Sequence, residues 1–484
     1  MKLKNNKSAG LDGIVAELLK YGPDIICDEI ALIYNTLAET GDCPVEITRG
    51  IICALQKPGK TKDPLDHLRP ITLLSMLRKT LAICLRTRTI DRLDSKIPPS
   101  QAAYRSGRST TEHIFAVKIL CEKAISSKDF AVHLLLLDMS KAFDSVNRVQ
   151  LINDLYKTLN PDEVEMIKRM LNIELAVKCG HDTSPFFETD TGVPQGDGYS
   201  SNEFTFYLAN SEYPDEHIDH NYAAPLSTID HTYAKPESTV EVDIDMEFAD
   251  DITYITTCKT LRILKKRELP PVLAKRGLVV NETKTEEYSV SREGDDGWKR
   301  CKLLGSLLST AEDIVRRKAL AVAAISSKSE IFYSNLDIPM KMRAFNVYVG
   351  SIFLYNSELW GLTESQKDAI DAFQRRLLRT AVLNVKWPRK VSNEELYAAT
   401  NATPWSETIQ LRSLSWFGHL IRLDEQTPAK IALRNALIPA QRPRGRPPTT
   451  WISSMNNLFK SMGLTWERAE EMARDRMLWN SIIT

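Results

Sequence analysis

Long apolar runs are missing from this 484-residue chain. None approaches the roughly 18 to 20 residues that a membrane-spanning helix needs. Paired cysteines are missing too: the eight are scattered singly, with no Cys-x-x-Cys spacing. That argues against a zinc ribbon and for reduced thiols in a cytosolic or nuclear compartment. The first residues, MKLKNNKSAG, have no apolar stretch behind their lysines and do not read as a secretory leader. An intracellular protein, nuclear or cytoplasmic, with no membrane segment is therefore expected. Net charge is absent as well, with 63 basic and 63 acidic residues. A zero balance argues weakly against a nucleic-acid partner, but it hides a segregation. Residues 211–247 hold ten acids and one lysine, a local −9 that leaves +9 elsewhere. A basic surface with one acidic insertion is compatible with a polyanion.

What is present is ordinary for a globular protein: 43% hydrophobic and 26% charged residues. The length suits two to four domains or one large articulated enzyme. No internal repeat is evident. The stretch SAGLDGIVAELLKYGPDIICDEIALIYNTLAETGD predicts a turn and amphipathic helices, and RGIICALQKPGK a strand ending in a basic turn. Helices are expected near 71–94 and 109–127. AVHLLLLDMS is apolar on both faces and reads as a buried central strand, with Ser140 capping the helix after it. AVKCG and PFFETDTG suggest a hairpin, and GYSSNEFTFYLAN a helix. The acidic segment, with Pro214, Pro225 and Pro236, suggests a loop. In VEVDIDMEFADDITYI, Val240, Val242, Ile244, Met246 and Phe248 share one face, and Ile252 and Tyr254 keep that parity. That predicts a β-hairpin with Asp250 and Asp251 at its turn. Strands follow near GLVVNETKTEEYSV and CKLLGSLLS. From about 311 the pattern is helical, with a Pro/Arg-rich break, IPAQRPRGRPPTTW, before a last helical piece. Mixed elements followed by helices suggest an α+β catalytic module with a helical extension.

A lone Asp-Asp pair is a weak signal, and the second one, Asp295-Asp296 among glycines, reads as a solvated turn. The pair at 250 differs because apolar strands flank it. Burying ionised carboxylates side by side costs several kcal/mol, so either the turn is wet or something positive holds it. Asp138 ends the other apolar strand, and strand-end carboxylates meeting on one sheet edge suit a hard divalent cation.

LLLLDMSKAFDSV, TGVPQGDGYS, EFADDITYI, GLVVNETKTEEY and KLLGSLLS follow one another in this order. Their order and spacing closely resemble the palm motifs of reverse transcriptases. KSAGLDGIVAELLK, LQKPGK, HLRPITLL and PSQAAYRSGRSTTEHI resemble the fingers of the LINE-type, non-LTR retrotransposon branch. The resemblance covers residues 1 to about 305 and continues more loosely through LSWFGHLIRLDEQTPAKIAL. It implies a right-hand polymerase fold: fingers and palm over 1–305, a helical thumb over 306–385, and a helical extension over 386–484 with its basic break near 441–448. It implies RNA-directed DNA synthesis on an RNA template, with a DNA primer and dNTPs. Asp138 and Asp250 would ligate two Mg²⁺ ions, with Mn²⁺ as an alternative, and Asp251 would support them. Asp144 reads instead as a helix-surface acid.

Other positions carry over in the same way. Lys57 and Arg69 match finger contacts to the triphosphate; without the surrounding pattern they would be solvated cations. Phe143 matches an aromatic that excludes a 2′-hydroxyl, while its residues alone fit a core phenylalanine equally well. Gly192, Gln195 and Gly196 match the loop beneath the nascent base pair. Lys284 matches a lysine proposed to protonate the leaving pyrophosphate, while its residues alone fit a plain surface lysine nearly as well, and Gly305 matches the turn that grips the primer.

Departures from the pattern keep an alternative open. After GVPQG the family usually reads small-x-Leu-Ser-Pro, and here it is Asp197-Gly198-Tyr199-Ser200-Ser201. A bulky Tyr199 is expected near the template–nucleotide pocket. The chain begins inside the first finger motif, with no endonuclease constellation around it. These features fit a truncated or decayed copy, weak or inactive, that binds RNA with the same fold. An RNA-templated RNA polymerase or another palm-type phosphoryl transferase is a further alternative. PGKT at 58–61 lacks the first glycine of a phosphate loop, because Ala54 stands there. His217, His220 and His231 have no cysteine nearby and no standard finger spacing. PRGRP at 443–447 resembles an AT-hook core, so Arg444 and Arg446 are candidates for DNA binding, although a basic Pro-rich linker is the commoner meaning. FQRRLLRTAV reads either as the wall of a nucleic-acid channel or as an ordinary exposed helix face.

Overall fold

A computed structural model describes residues 3–57, 67–212, 240–441, 444–445 and 447–483. Pro214, Pro225 and Pro236, the three histidines 217, 220 and 231, the 58–61 stretch and Arg446 lie outside the described residues.

β1 (Arg49–Gln56) and β2 (Leu68–Leu74) pair antiparallel, with Leu55 opposite Arg69. The helix expected over 71–94 therefore begins late. Ile71 and Thr72, β-branched, continue the strand, and the helix Met76–Asp94 starts only where Ser75 supplies an N-cap oxygen to the Arg78 N–H. The helix Thr110–Ser126 opens on a Ser109–Glu112 capping box.

β3 (Val132–Ser140) is central, as its two-sided apolar run predicts. Ser140 does not cap the next helix. It is the last residue of β3, opposite Val279, and a 3-10 turn Ala142–Ser145 follows a left-handed Lys141. The next α-helix, Arg148–Tyr156, is capped by Asn147 instead. β4 (Glu174–Cys179) runs parallel to β1 and pairs with the short β5 (Asp182–Thr183) and β6 (Phe187–Glu188). β7 (Asp243–Phe248) and β8 (Asp251–Thr256) form the expected hairpin. With β9 (Val279–Val280) and β10 (Glu286–Val290) they complete a sheet of order β10–β3–β8–β7, with β9 on the end of β3.

One expectation about that hairpin is overturned. Its turn holds only Ala249 and Asp250, so Phe248 pairs with Asp251 and odd residues of β8 stand opposite even residues of β7. Cross-strand partners share a face. Ile244 and Met246 thus pack with Ile255 in one core, and Ile252 and Tyr254 point into the other. Leu135, Leu137 and Met139 of β3 join the second of these cores, under helices Met76–Asp94 and Arg148–Tyr156. Val132 and Leu134 join the first, under helix Thr110–Ser126. Both faces of the sheet are covered, which is why β3 carries no polar stripe.

β11 (Lys302–Leu303) and β12 (Ser306–Leu307) make a small hairpin, and every described element from Thr310 onward is helical. Helices Trp405–Ile421, Pro428–Leu437, Trp451–Ser461 and Trp466–Arg474 share a core with the sheet and with helix Thr110–Ser126. Phe115 meets Trp416 and Trp451 edge-on. Glu122 Oε2 accepts the Trp451 N–H at 2.7 Å, and Lys123 Nζ donates to the Asn435 and Ile438 carbonyls. At about 25 cal/mol per Å² and roughly 200 Å² per side chain, each buried tryptophan contributes on the order of 5 kcal/mol before ordering entropy. The C-terminal helices are therefore docked against the sheet module.

Candidate active site

The sheet register builds the site. Asp138 near the end of β3 stands directly opposite Asp251 at the start of β8, so both carboxylates leave the same face, and like charges placed so repel. Asp250 occupies the second turn position beside them. Burial raises its pKa, and the nearby Asp138 raises it further, while Lys284 and Arg69 oppose. Asp251 is pushed up to about 6, first by burial and then by Asp250 and Asp138. Lys284, on the 3-10 turn Glu282–Lys284 that follows β9, places Nζ 2.7 Å from Asp138 Oδ2. Asp138, Asp250, Asp251, Lys284 and Arg69 are thus brought together, with more negative than positive charge.

The turn is braced by residues that sequence reasoning missed. Ala249 is left-handed at φ 58°, a conformation costing a non-glycine residue on the order of 1–3 kcal/mol. The fully buried Gln101 holds it: its Oε1 accepts the Ala249 N–H at 3.1 Å and the Ala103 N–H at 3.0 Å. Ser100–Ala102 lies alongside β7, with Ala102 N–H donating to the Glu247 carbonyl and Glu247 N–H to the Ser100 carbonyl. Tyr104, also left-handed and half exposed, lies close enough to Asp250 for that carboxylate to raise its pKa, after burial. No local signal marks this brace, because in PSQAAYRSG the glutamine reads the same whether buried or solvated.

The loop with Gly192, Gln195 and Gly196 is tied to both neighbours. Val193 N–H donates to the Phe143 carbonyl and Gly192 N–H to the Val146 carbonyl. Thr72 N–H of β2 donates to the Gln195 carbonyl at 2.7 Å. Phe143 is half-buried, stacked on Phe204 at 4.5 Å between centroids. Asp144 is exposed, as expected for a surface acid. Lys57 follows β1, its N–H bonded to the His67 carbonyl, on the hairpin that carries Arg69. Gly305 is not brought among the carboxylates by any of these bonds; it turns β11 into β12, its carbonyl held by Arg316 and Arg317. Arg444 is exposed between the last helices.

Tyr199 does not reach a nucleotide pocket. It is buried in the core, its hydroxyl 2.8 Å from Thr89 Oγ1. Asp197 is accommodated too: Arg78, fully buried, places Nε 3.1 Å from its Oδ2 and donates to the Ile47 and Met170 carbonyls. Glu203 adds a second buried acid nearby and is pushed up to about 8, mainly by burial and then by Asp197. Its folded value lies above the ordinary 4.5, so the native state holds the proton longer and stability falls as pH rises between those values. Glu203→Gln imitates the protonated acid. It is expected to melt with wild type at pH 5 and above it at pH 8.5, by on the order of a few kcal/mol; thermal unfolding at the two pH values checks this.

The reverse transcriptase (RNA-dependent DNA polymerase) family pattern matches residues 55–308, and the chain belongs to that family. Its α+β, right-hand polymerase fold is the one expected of it. The chain is similar to a probable RNA-directed DNA polymerase from transposon X-element of Drosophila melanogaster, 23% identical over 415 residues, covering 78% of this chain and 42% of that protein. It is also similar to the RNA-directed DNA polymerase from mobile element jockey of the same organism, 28% identical over 198 residues, covering 40% and 22%. The chain thus spans less than half the length of these curated relatives. Apo telomerase from Candida tropicalis is similar at 14% identity and a TM-score of 0.42, over 95% of this chain and 74% of that one. The expected resemblance to the polymerases of LINE-type mobile elements is borne out. Among the described residues, no helix is long and apolar enough to cross a membrane.

Three clustered oxygen donors with unbalanced negative charge fit a hard divalent cation. They do not by themselves make a three-ligand site: among the described residues, no group of three or more His, Cys, Asp or Glu side chains is placed to hold a metal ion. Mg²⁺ needs none, since it is commonly held by one or two carboxylates with water and substrate phosphates completing its shell.

Proposed function

We propose that the chain performs RNA-templated DNA synthesis, adding dNTPs to a DNA primer 3′-hydroxyl. The observation that carries this reading is the register that sets Asp138 opposite Asp251 with Asp250 beside them. Asp138 and Asp250 would hold two Mg²⁺ ions, or Mn²⁺, with Asp251 in support. Bound there, the ions would activate the primer hydroxyl and neutralise the triphosphate. Lys284 balances Asp138 until substrate arrives and is the acid available to the departing pyrophosphate. Arg69 and Lys57 offer charged donors to the triphosphate from the β1–β2 hairpin. Gln195 and Gly196 support the nascent base pair, Gly305 the primer, and Arg444 and Arg446 an outlying DNA contact. In this reading 1–305 are fingers and palm, 306–385 the thumb and 386–484 the extension. A catalytically silent RNA-binding copy gains nothing from Tyr199 or Asp197, because both side chains are satisfied within the fold.

Primer extension with Mg²⁺ or Mn²⁺ on poly(rA)/oligo(dT) tests the proposal; no dTTP incorporation under either ion would sink it. Phe143 backed by Phe204 makes a rigid wall suited to excluding a 2′-hydroxyl. Phe143→Val is expected to lower the dNTP-over-rNTP ratio of kcat/KM by about 10- to 100-fold. Unchanged discrimination in single-nucleotide incorporation would remove the gate and leave an ordinary core phenylalanine.

A further inference from the structure

Trp387 is 85% exposed. The chain has eight tryptophans, and Trp298, Trp360, Trp405, Trp416, Trp451 and Trp479 are all buried. Leaving a tryptophan face in water forgoes several kcal/mol of burial, so its position needs a reason. Trp387 sits at the tip of a turn closed by the Arg389 N–H donating to the Lys386 carbonyl at 3.0 Å. The base of the loop is fixed rather than loose. Arg379 Nε donates to the Val391 carbonyl at 3.1 Å and its Nη2 to Asn393 Oδ1 at 2.7 Å. Val385 N–H donates to the Arg379 carbonyl, and Asn384 Nδ2 to the Phe332 carbonyl. That last bond sets the loop beside Tyr333, the residue after Phe332, itself 61% exposed.

The charge around Trp387 has one sign. Lys386, Arg389 and Lys390 flank it, all exposed, and no ion pair engages them among the described residues. The next acids are turned to another task. Glu395 closes a capping box with Ser392, and Glu394, its pKa lowered by its own backbone N–H and then by Ser392, serves the same helix start. An exposed indole on a clamped turn, ringed by free cations, is a platform for an unpaired base with its phosphates on either side.

We propose that the 384–391 loop binds single-stranded RNA, with Trp387 stacking on a base and Lys386, Arg389 and Lys390 taking its phosphates. The proposal rests on the polymerase reading only for the choice of RNA as the strand the protein must hold beyond the active site. Stacking accepts any base, so binding here should be sequence-tolerant.

Fluorescence anisotropy of a labelled 12-nucleotide single-stranded RNA, with EDTA and no nucleotide, tests it on the full chain. Trp387→Ala is expected to weaken binding by about 5- to 150-fold, and Trp387→Phe, which keeps a π-face, by less. Replacing Lys386, Arg389 and Lys390 together by alanine should flatten the salt dependence of log Kd by roughly 2, at about 0.7 per phosphate contact. RNA should quench the exposed tryptophan fluorescence in wild type and not in Trp387→Ala. Binding by Trp387→Ala within twofold of wild type, no binding by wild type, or tighter binding of the matching DNA oligomer would each overturn the assignment. Wild-type RNA binding without primer extension would count against the polymerase reading alone.

Discussion

Asp250→Asn is expected to abolish primer extension, by on the order of 10³-fold or more, without lowering the melting temperature. The two halves of this expectation come from different parts of the site. Asp250 is desolvated and repelled by Asp138, so its charge opposes folding, and the amide keeps the shape while removing the charge. The hairpin does not depend on that carboxylate for its geometry. Gln101 clamps the Ala249 backbone, and the β7–β8 ladder runs from Asp243–Thr256 to Phe248–Asp251. What the substitution takes away is one of the few anionic oxygens available to a divalent cation. Single-turnover dTTP incorporation reads the loss, and a thermal scan in EDTA reads the fold. Extension near the wild-type rate would remove Asp250 from catalysis. A large drop in melting temperature would mean that the turn depends on the carboxylate after all.

How much of this was legible in advance follows from the range of the interactions. β3 could be read because its burial on both faces writes a continuous apolar run into adjacent residues. The Asp250 hairpin could be read because strand alternation is a local pattern. Its facing could not, since one residue more or less in the turn reverses every side chain beyond it. Ser140 looked like a cap by residue type, but pairing with Val279, 139 positions further on, claims its backbone for the sheet. The brace at Gln101 joins residues 148 positions apart, and a buried glutamine has the same letter as a solvated one. Nothing local joins Arg78 to Asp197, 119 positions apart, until the fold brings them to 3.1 Å. Tyr199 looked like an intruder because the motif fixes its position in the chain, not the direction of its side chain. The helical pattern beyond 311 could be read, but not that helix Thr110–Ser126 would share a core with its tryptophans. Family motifs point to the carboxylates; their packing partners are set by the fold.

Gly196→Ala is expected to have the second largest effect, and Gly198 two residues later supplies its control. Gly196 has φ 134°, a conformation that L side chains rarely adopt, and a Cβ there would stand 2.3 Å from the Thr72 carbonyl oxygen. Neither problem can be relieved by turning a side chain, because the obstacle is the backbone of β2. Strain and clash together cost roughly 2–5 kcal/mol. The cheapest escape is for the loop to lift away from β2, which breaks the Thr72 N–H bond to the Gln195 carbonyl. That bond couples the loop proposed to support the nascent base pair to the strand that carries Arg69, so its loss separates two parts of the proposed nucleotide site. A displacement of about 1 Å at such a position is enough to cost 10²-fold in rate. At Gly198 a Cβ meets nothing within 4 Å, so Gly198→Ala should extend primers within a few-fold of wild type. Steady-state kcat/KM for dTTP, measured beside thermal unfolding, separates the two. Equal activity of the alanine variants would show that the contact with β2 does not position the nucleotide.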